Sequence, residues 1–122
     1  MLKFVCMEYG FSLGAFGIIF NKKREVLLCH RRDYDLWNLP GGGILRGESP
    51  WEAVIREIRE ETRLDTKILR LSGIYNKPTK NEVVFSFVCS IESGRFKPTA
   101  EADEIKYFSL SNLPSNTVPK QV

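Results

Sequence analysis

The sequence predicts one α/β (α+β) domain, in which a mixed β-sheet carries a single well-defined helix. Three observations indicate this fold class: two short apolar runs around a turn near the N-terminus, a capped amphipathic helix in the middle of the chain, and three later runs rich in β-branched and aromatic residues. A chain of 122 residues is about the size of one ordinary domain. We therefore expect a single folding unit over residues 1–122.

The first two predicted strands occupy residues 13–20 and 25–31, with the sequences LGAFGIIF and EVLLCHR. The four residues between them, NKKR, are polar and predict a hairpin turn. We therefore expect the two strands to be antiparallel neighbours in the sheet.

The helix with the most support runs from residue 50 to about residue 62. Ser49 is its predicted N-cap, Pro50 its first residue and Glu52 the capping-box partner three positions after the cap. Apolar residues then recur at helical spacing, which predicts one buried stripe. The stripe consists of Trp51, Val54, Ile55 and Ile58.

Three further strands are predicted in the second half of the chain, at residues 66–75, 82–92 and 104–110. They are bounded by Pro, Gly and Asn residues. The order of elements lacks the regular strand–helix alternation of a doubly wound fold, so we expect a sheet with one helix packed against it.

Composition and charge exclude several classes of protein. Apolar residues make up 43% of the chain and charged residues 27%, which argues against disordered and fibrous proteins. The net charge of +3, without a long basic run, does not favour binding to nucleic acid or to membranes. No segment has the pattern of a signal peptide or a membrane span, and the three cysteines form no CxxC pair, so we expect a reduced, cytoplasmic location.

Three glutamates of the predicted helix indicate a metal site. At about 100° per residue, Glu57, Glu60 and Glu61 fall within one arc beside the apolar stripe. Like charges at this spacing repel by a few tenths of a kcal/mol per pair, so a compensating cation is expected. Carboxylate oxygens suit Mg²⁺ or Mn²⁺, and Mg²⁺ keeps waters available for substrate phosphates. We therefore predict a catalytic Mg²⁺ or Mn²⁺ site.

The residues just before the helix predict a loop that approaches a ligand closely. Gly41, Gly42 and Gly43 have no side chains, which allows their backbone groups to contact a phosphate or a metal ion. Glu48 and Arg56 are predicted to pair, because the rigid guanidinium fork can tie this loop to the helix.

Together these residues resemble the Nudix box, G-x5-E-x7-R-E-U-x-E-E-x-G-U, where U is a bulky aliphatic residue. The segment from Gly42 to Leu64 matches eight of the nine defined positions, and the preceding residues 36–42, LWNLPGG, resemble the family's approach to the box. The chain is therefore similar to Nudix hydrolases of the MutT-like and ADP-ribose pyrophosphatase-like kinds. This resemblance implies an α/β/α sandwich around a mixed sheet that carries the Nudix loop-helix-loop.

The one mismatch is Arg63, which stands where the family's box has glycine. If that glycine caps the helix in a left-handed conformation, an L-residue there costs about 1 kcal/mol. We therefore expect a shifted helix end and retained catalysis.

The resemblance also implies roles for individual residues. The metal ligands would be Glu57, Glu60, Glu61 and the carbonyl of Gly41. One of the three glutamates would serve as the general base. Arg56 would belong to the catalytic residues and would form a structural ion pair with Glu48.

Further residues are candidates for the site on their position alone. Candidates for substrate binding are Gly42, Gly43, Arg31, Arg32 and Trp37. Glu101 and Glu104 are candidates for an additional ligand or base, because some family members supply one from this part of the chain. His30, the only histidine, lies in an apolar run and is predicted to be structural.

The implied reaction is attack by water on a phosphorus of a nucleoside diphosphate linked to another moiety, with Mg²⁺ or Mn²⁺ as cofactor. The substrate would be a small nucleotide, either a nucleotide sugar such as ADP-ribose or a nucleoside triphosphate. Two alternatives stay open: an RNA 5′-pyrophosphohydrolase, which needs a basic channel, and a non-catalytic nucleotide-binding module. A homodimer is also open, because few residues follow Pro114 to cover the sheet.

Overall fold

The computed structural model describes residues 10–117. In chain order its elements are β1 (Ser12–Ile19), β2 (Val26–Arg31), β3 (Trp37–Asn38), β4 (Gly41–Gly43), α1 (Pro50–Thr62), β5 (Asp65–Lys77), β6 (Glu82–Ser93) and β7 (Ala102–Phe108). A 3-10 turn, Pro78–Lys80, joins β5 to β6.

The strands form two sheets. The first is ordered β4-β1-β6-β5, in which β1 and β6 are parallel and the other pairs are antiparallel. The second is ordered β3-β2-β7 and is antiparallel throughout. The predicted mixed α+β architecture is confirmed, although it is divided between two sheets. Helix α1 is the only α-helix found among residues 10–117, so that range contains one outer helical layer.

The expectation that the first two strands are antiparallel neighbours was wrong beyond the turn itself. Phe20 and Val26 form one antiparallel bridge, and the Asn21 side chain accepts hydrogen bonds from the amides of Lys23 and Glu25. After this bridge the strands separate into different sheets. One edge of β1 is paired with β6 along its whole length, and the other is paired with β4 at Gly14, Ala15 and Phe16, whereas β2 pairs with β3 and β7.

Helix α1 begins and ends at the predicted residues. The Ser49 side chain accepts from the Glu52 amide, and the Glu52 carboxylate accepts from the Ser49 amide, which is the predicted capping box. The buried residues are Ala53, Val54, Ile58, Glu61 and Thr62.

One member of the predicted apolar stripe of α1 is exposed. The exposed fraction of Trp51 is 58%, whereas Val54 and Ile58 are fully buried. Helical periodicity identified the correct face, but the extent of the sheet beneath α1 decides which residues of its first turn are covered.

Close packing of α1 against the first sheet depends on a glycine. A Cβ atom at Gly17 in β1 would lie 2.7 Å from Cδ1 of Ile58. The absence of a side chain therefore lets the helix approach the strand directly. The main core lies between them and includes Ala15, Ile19, Val54, Ile58 and Phe87.

The expected shift of the helix end is not observed. Helix α1 ends at Thr62, and Arg63 is its C-cap with φ 66° and ψ 14°, in the left-handed region. The Arg63 amide donates to the Arg59 carbonyl at 2.9 Å. Arg63 therefore adopts the conformation that glycine favours, and the helix keeps its length at the expense of local backbone strain.

The last three strands lie close to their predicted positions, with β7 beginning and ending two residues earlier than expected. Within the described part of the chain, no helix has the length and apolar character needed to cross a membrane.

Candidate active site

Three carboxylates from two elements converge beside the glycine strand β4. Glu57 and Glu61 project from α1, and Glu101 lies immediately before β7. One oxygen of each lies within 4.8 Å of the others. Glu61 is buried, Glu57 is half-buried and Glu101 is exposed, so the group extends from the core to the surface.

Glu61 is the innermost of the three carboxylates, with an exposed fraction of 7%. Its Oε1 accepts a hydrogen bond from the Gly41 amide at 2.9 Å. Burial raises the pKa of Glu61 to about 8, because removing a charge from water is costly; the Gly41 amide opposes this, and the nearby Glu101 and Glu57 add to it. A carboxylate held in this way gains from a cation that neutralises it.

Glu57 lies against the glycine strand. Burial raises the pKa of the Glu57 carboxyl, and the hydrogen bond from Arg56 opposes that rise. A Cβ atom at Gly42 would lie 2.7 Å from Cδ of Glu57. A glycine at this position therefore leaves room for the carboxylate.

Gly41 is required for a different reason. A Cβ atom there would collide with the carbonyl oxygen of Ala15 and lie 2.6 Å from Cα of Phe16 in β1. The backbone of Gly41 can therefore pair closely with β1 while its amide contacts Glu61.

Arg56 joins the loop before α1 to the helix. Its Nε and Nη2 donate to Oε2 and Oε1 of Glu48 at 2.7 and 3.0 Å, and Nη2 also donates to the Gly43 carbonyl at 3.0 Å. Nη1 donates to Glu57 and Glu60 at 3.0 and 2.7 Å. The Arg56 hydrogen bonds, followed by that of the Leu45 amide, lower the pKa of Glu48. This arrangement braces the loop and orients Glu57.

The structure treats the remaining candidate carboxylates differently. The Glu60 side chain is 48% exposed, pairs with Arg56 and lies outside the group formed by Glu57, Glu61 and Glu101. Glu101 joins that group. Glu104 lies opposite His30 in the backbone pairing of β2 with β7 and does not join it.

Glu101 is positioned by contacts that the sequence did not suggest. The hydroxyl of Thr99 donates to the Glu61 carbonyl at 2.9 Å and accepts from the amides of Glu101 and Ala102 at 3.3 and 3.1 Å. Arg32 donates through Nε to the Thr99 carbonyl and through its amide to the Glu101 carbonyl. Arg32 thus holds the segment before β7, and it is not among the residues that line the cleft.

A cleft of about 520 Å³ opens onto these carboxylates. Its lining includes Gly41 and Gly42 and a mixture of charged side chains, namely Arg31, Asp33, Glu61, Lys77, Lys80, Glu82 and Glu101. The lysines were not among the predicted site residues, because only the pairing of β5 with β6 and of β6 with β1 brings their turn to this end of the sheet.

Trp37 does not line the cleft. It packs edge-on against Phe108, with ring centroids 5.0 Å apart, and lies 5.0 Å from the ring of His30. The His30 ring nitrogens lie 2.7 Å from carboxylate oxygens of Asp35 and Asp103, and these contacts raise its pKa. His30 therefore supports the loop that follows β2 and does not approach the three carboxylates.

The chemistry of the three carboxylates fits a divalent cation. Glu57, Glu61 and Glu101 supply hard oxygen donors at close range, and burial disfavours the charged forms of Glu57 and Glu61. A bound Mg²⁺ or Mn²⁺ ion would offset that penalty, polarise a phosphoryl oxygen and lower the pKa of a coordinated water.

Comparison with known proteins agrees with this geometry. The family model described as NUDIX domain matches residues 10–121. A protein of Bacillus subtilis (strain 168), provisionally named as an 8-oxo-dGTP diphosphatase, is 36% identical over 112 residues, covering 91% of this chain and 75% of the relative. The ADP-ribose pyrophosphatase of Methanocaldococcus jannaschii is 35% identical over 103 residues, covering 79% of this chain and 61% of the relative.

Solved structures resemble the fold closely. The crystal structure of a UDP-X diphosphatase has a TM-score of 0.85 and 27% identity, covering 93% of this chain and 57% of its own. An ADP-ribose pyrophosphatase from Streptococcus suis 89-1591 has a TM-score of 0.76 and 30% identity, with 86% and 78% covered. The chain thus spans less than two thirds of the Methanocaldococcus relative and of the UDP-X diphosphatase.

Proposed function

The chain belongs to the Nudix hydrolase family, whose members hydrolyse pyrophosphate bonds, and on that premise we propose that it is a Mg²⁺- or Mn²⁺-dependent pyrophosphohydrolase. Its substrate is a nucleoside diphosphate linked to another moiety, either a nucleotide sugar such as ADP-ribose or a nucleoside triphosphate. The relatives support both classes, since their names include an ADP-ribose pyrophosphatase and an 8-oxo-dGTP diphosphatase.

The observation that carries this proposal is the convergence of Glu57, Glu61 and Glu101, of which Glu61 and Glu101 line a cleft that also contains cationic side chains. The carboxylates hold the metal, and the cations attract the phosphates of the substrate. A pyrophosphate hydrolase needs both kinds of charge in one cleft, because the metal ion and the phosphates of the substrate must meet there. It also counts against a non-catalytic module.

The chain's own residues then have distinct parts. In this proposal Glu61 and Glu57 would hold the metal from α1, and Glu101, at the exposed end of the group, would serve as a further ligand or as the base for the attacking water. The Gly41 amide orients Glu61, and Arg56 orients Glu57 while it pairs with Glu48. A part for Glu60 and for the Gly41 carbonyl as ligands stays a prediction.

The proposal is tested by incubating the purified protein with a panel of nucleotide sugars, nucleoside triphosphates, dinucleoside polyphosphates and 5′-triphosphorylated RNA, each with Mg²⁺ or Mn²⁺ and with EDTA. We expect release of nucleoside monophosphate from at least one small nucleotide, dependent on metal. Inactivity on every member contradicts the proposal. Activity confined to the RNA would favour the RNA 5′-pyrophosphohydrolase instead.

Two further expectations stay predictions. One is a cytoplasmic location. The other is a homodimer, for which the exposed apolar residues of β5, among them Leu69, Leu71 and Ile74, provide a candidate surface.

A further inference from the structure

The turn between β5 and β6 brings two lysines to the cleft that Glu61 and Glu101 also line. Lys77 is the last residue of β5, and Lys80 is the last residue of the 3-10 turn. Both line the cleft together with Glu61 and Glu101. The cleft therefore receives two ammonium groups, beside Glu82, from a segment that is separate from the glycine strand and from α1.

The position of this turn is fixed by its own contacts. Asn81 follows it in the left-handed region, at φ 50°, and its amide donates to the Pro78 carbonyl at 3.2 Å. The Asn81 side-chain amide donates to the Gly10 carbonyl, and the backbone carbonyl of Asn81 accepts from the Ser12 amide at 3.1 Å. The turn is thus attached to the beginning of β1, the strand that also pairs with the glycine strand β4.

The three cations of the cleft differ in how far their charge is already neutralised. Arg31 donates through Nε and Nη2 to the Asp33 carboxylate at 2.9 and 2.5 Å. The Lys77 ammonium lies 3.6 Å from Glu82, a longer ion pair. Lys80 is exposed, and among residues 10–117 no carboxylate lies within ion-pair distance of it. Lys80 therefore keeps the charge that a ligand can use.

We propose that Lys80, assisted by Lys77, forms an anion subsite for a phosphate beyond the pyrophosphate that is cleaved. This rests on the proposed function and names its substrate class, the nucleoside triphosphates. A metal ion held by the carboxylates would bind the α- and β-phosphates, and the unneutralised ammonium group of Lys80 in the same cleft would then bind the γ-phosphate. The second sugar of a nucleotide sugar is uncharged and gains little from it.

The test uses two ligands that differ by one phosphate, α,β-methylene-ATP and α,β-methylene-ADP, titrated calorimetrically with Mg²⁺ present. We expect Lys80→Ala to weaken binding of the ATP analogue about tenfold and that of the ADP analogue less than about twofold, because only the former has a γ-phosphate. Lys80→Arg should keep most of the affinity for the ATP analogue. Equal losses for both ligands, or no loss for either, would overturn the subsite.

Lys67→Ala is the matched control, since Lys67 is an exposed lysine of β5, the strand that leads to the turn, and does not line the cleft. It should leave both dissociation constants unchanged. The two proposals fail separately: a wild-type protein inactive on the whole panel contradicts the hydrolase. A wild-type protein that hydrolyses nucleotides, with an unchanged ratio of the two constants in Lys80→Ala, contradicts only the subsite.

Discussion

Replacing Glu61 with glutamine should make the metal-free protein more stable while it removes the activity. Below about pH 4.5 the carboxyl is protonated in the folded and unfolded chains alike, so it contributes no pH dependence to the free energy of unfolding. As the pH rises, the unfolded chain releases this proton, whereas the folded protein retains it until about pH 8. Because the folded state binds more protons in this window, its stability falls as the pH rises.

The magnitude follows from the width of that window. Each pH unit between the ordinary value of 4.5 and the pH of measurement corresponds to about 1.4 kcal/mol, so the penalty at pH 7 is on the order of 3 kcal/mol. Glutamine fills the same space without a charge, and its amide oxygen can still accept from the Gly41 amide. The Glu61→Gln protein should therefore gain stability of that order at pH 7 and less than about 1 kcal/mol at pH 5.

The assay is urea denaturation at pH 5, 6, 7 and 8 in EDTA, repeated with Mg²⁺ or Mn²⁺. Metal should stabilise the wild type and reverse the order of the two proteins, because an ion that binds only the folded state adds to its stability. Turnover of Glu61→Gln should fall at least about a hundredfold. Glu92→Gln, in an exposed position at the end of β6, is the control and should change neither property.

One result would refute the reasoning on Glu61. If Glu61→Gln were less stable than the wild type at pH 7 in EDTA, or if its advantage did not shrink toward pH 5, the buried carboxylate would not carry the penalty. Wild-type turnover in the same variant would remove Glu61 from the metal site.

Three further substitutions have specific outcomes. Arg63→Gly should raise the free energy of unfolding by about 0.5–1 kcal/mol with unchanged turnover, since glycine adopts φ 66° without strain; a loss of stability in urea denaturation would contradict this. Gly42→Ala should weaken metal binding about tenfold with little change in melting temperature, because its Cβ displaces the Glu57 carboxylate; calorimetric Mn²⁺ titration checks this, and unaltered affinity would show that Glu57 adapts. Glu48→Gln should lower the urea midpoint while turnover stays close to that of the wild type; a large loss of turnover with an unchanged midpoint would make the pair of Glu48 and Arg56 catalytic.

The helix could be predicted well because its determinants are local. Ser49, Pro50 and Glu52 specify where α1 begins through contacts within one turn. Arg63 was harder, because its strain is tolerated by a structure that keeps Leu64 buried immediately after the helix. The relative strengths of these two effects cannot be read from neighbouring residues alone.

The parts that were missed depend on strand pairing over long distances. Glu101 and Glu104 were equivalent candidates in the sequence, and the contact of Thr99 with the end of α1 distinguishes them. Lys77 and Lys80 belong to the cleft only because β6 runs parallel to β1. No pattern within either segment indicates that pairing, so the two lysines of the cleft could not be predicted.

The absence of a side chain at Gly17 affects where α1 holds the carboxylates of the proposed metal site. Ile58 packs against this glycine and follows Glu57 in α1. A side chain at residue 17 would therefore press on the helix next to a carboxylate of the site. Where α1 shifts to relieve the contact with Cδ1 of Ile58, Glu57 shifts with it, and a divalent ion tolerates changes in ligand distance only within about 0.2 Å. Gly17→Ala should consequently impair metal binding, although residue 17 contacts neither ion nor substrate. The distance between β1 and α1 thus helps to set the positions of the carboxylates.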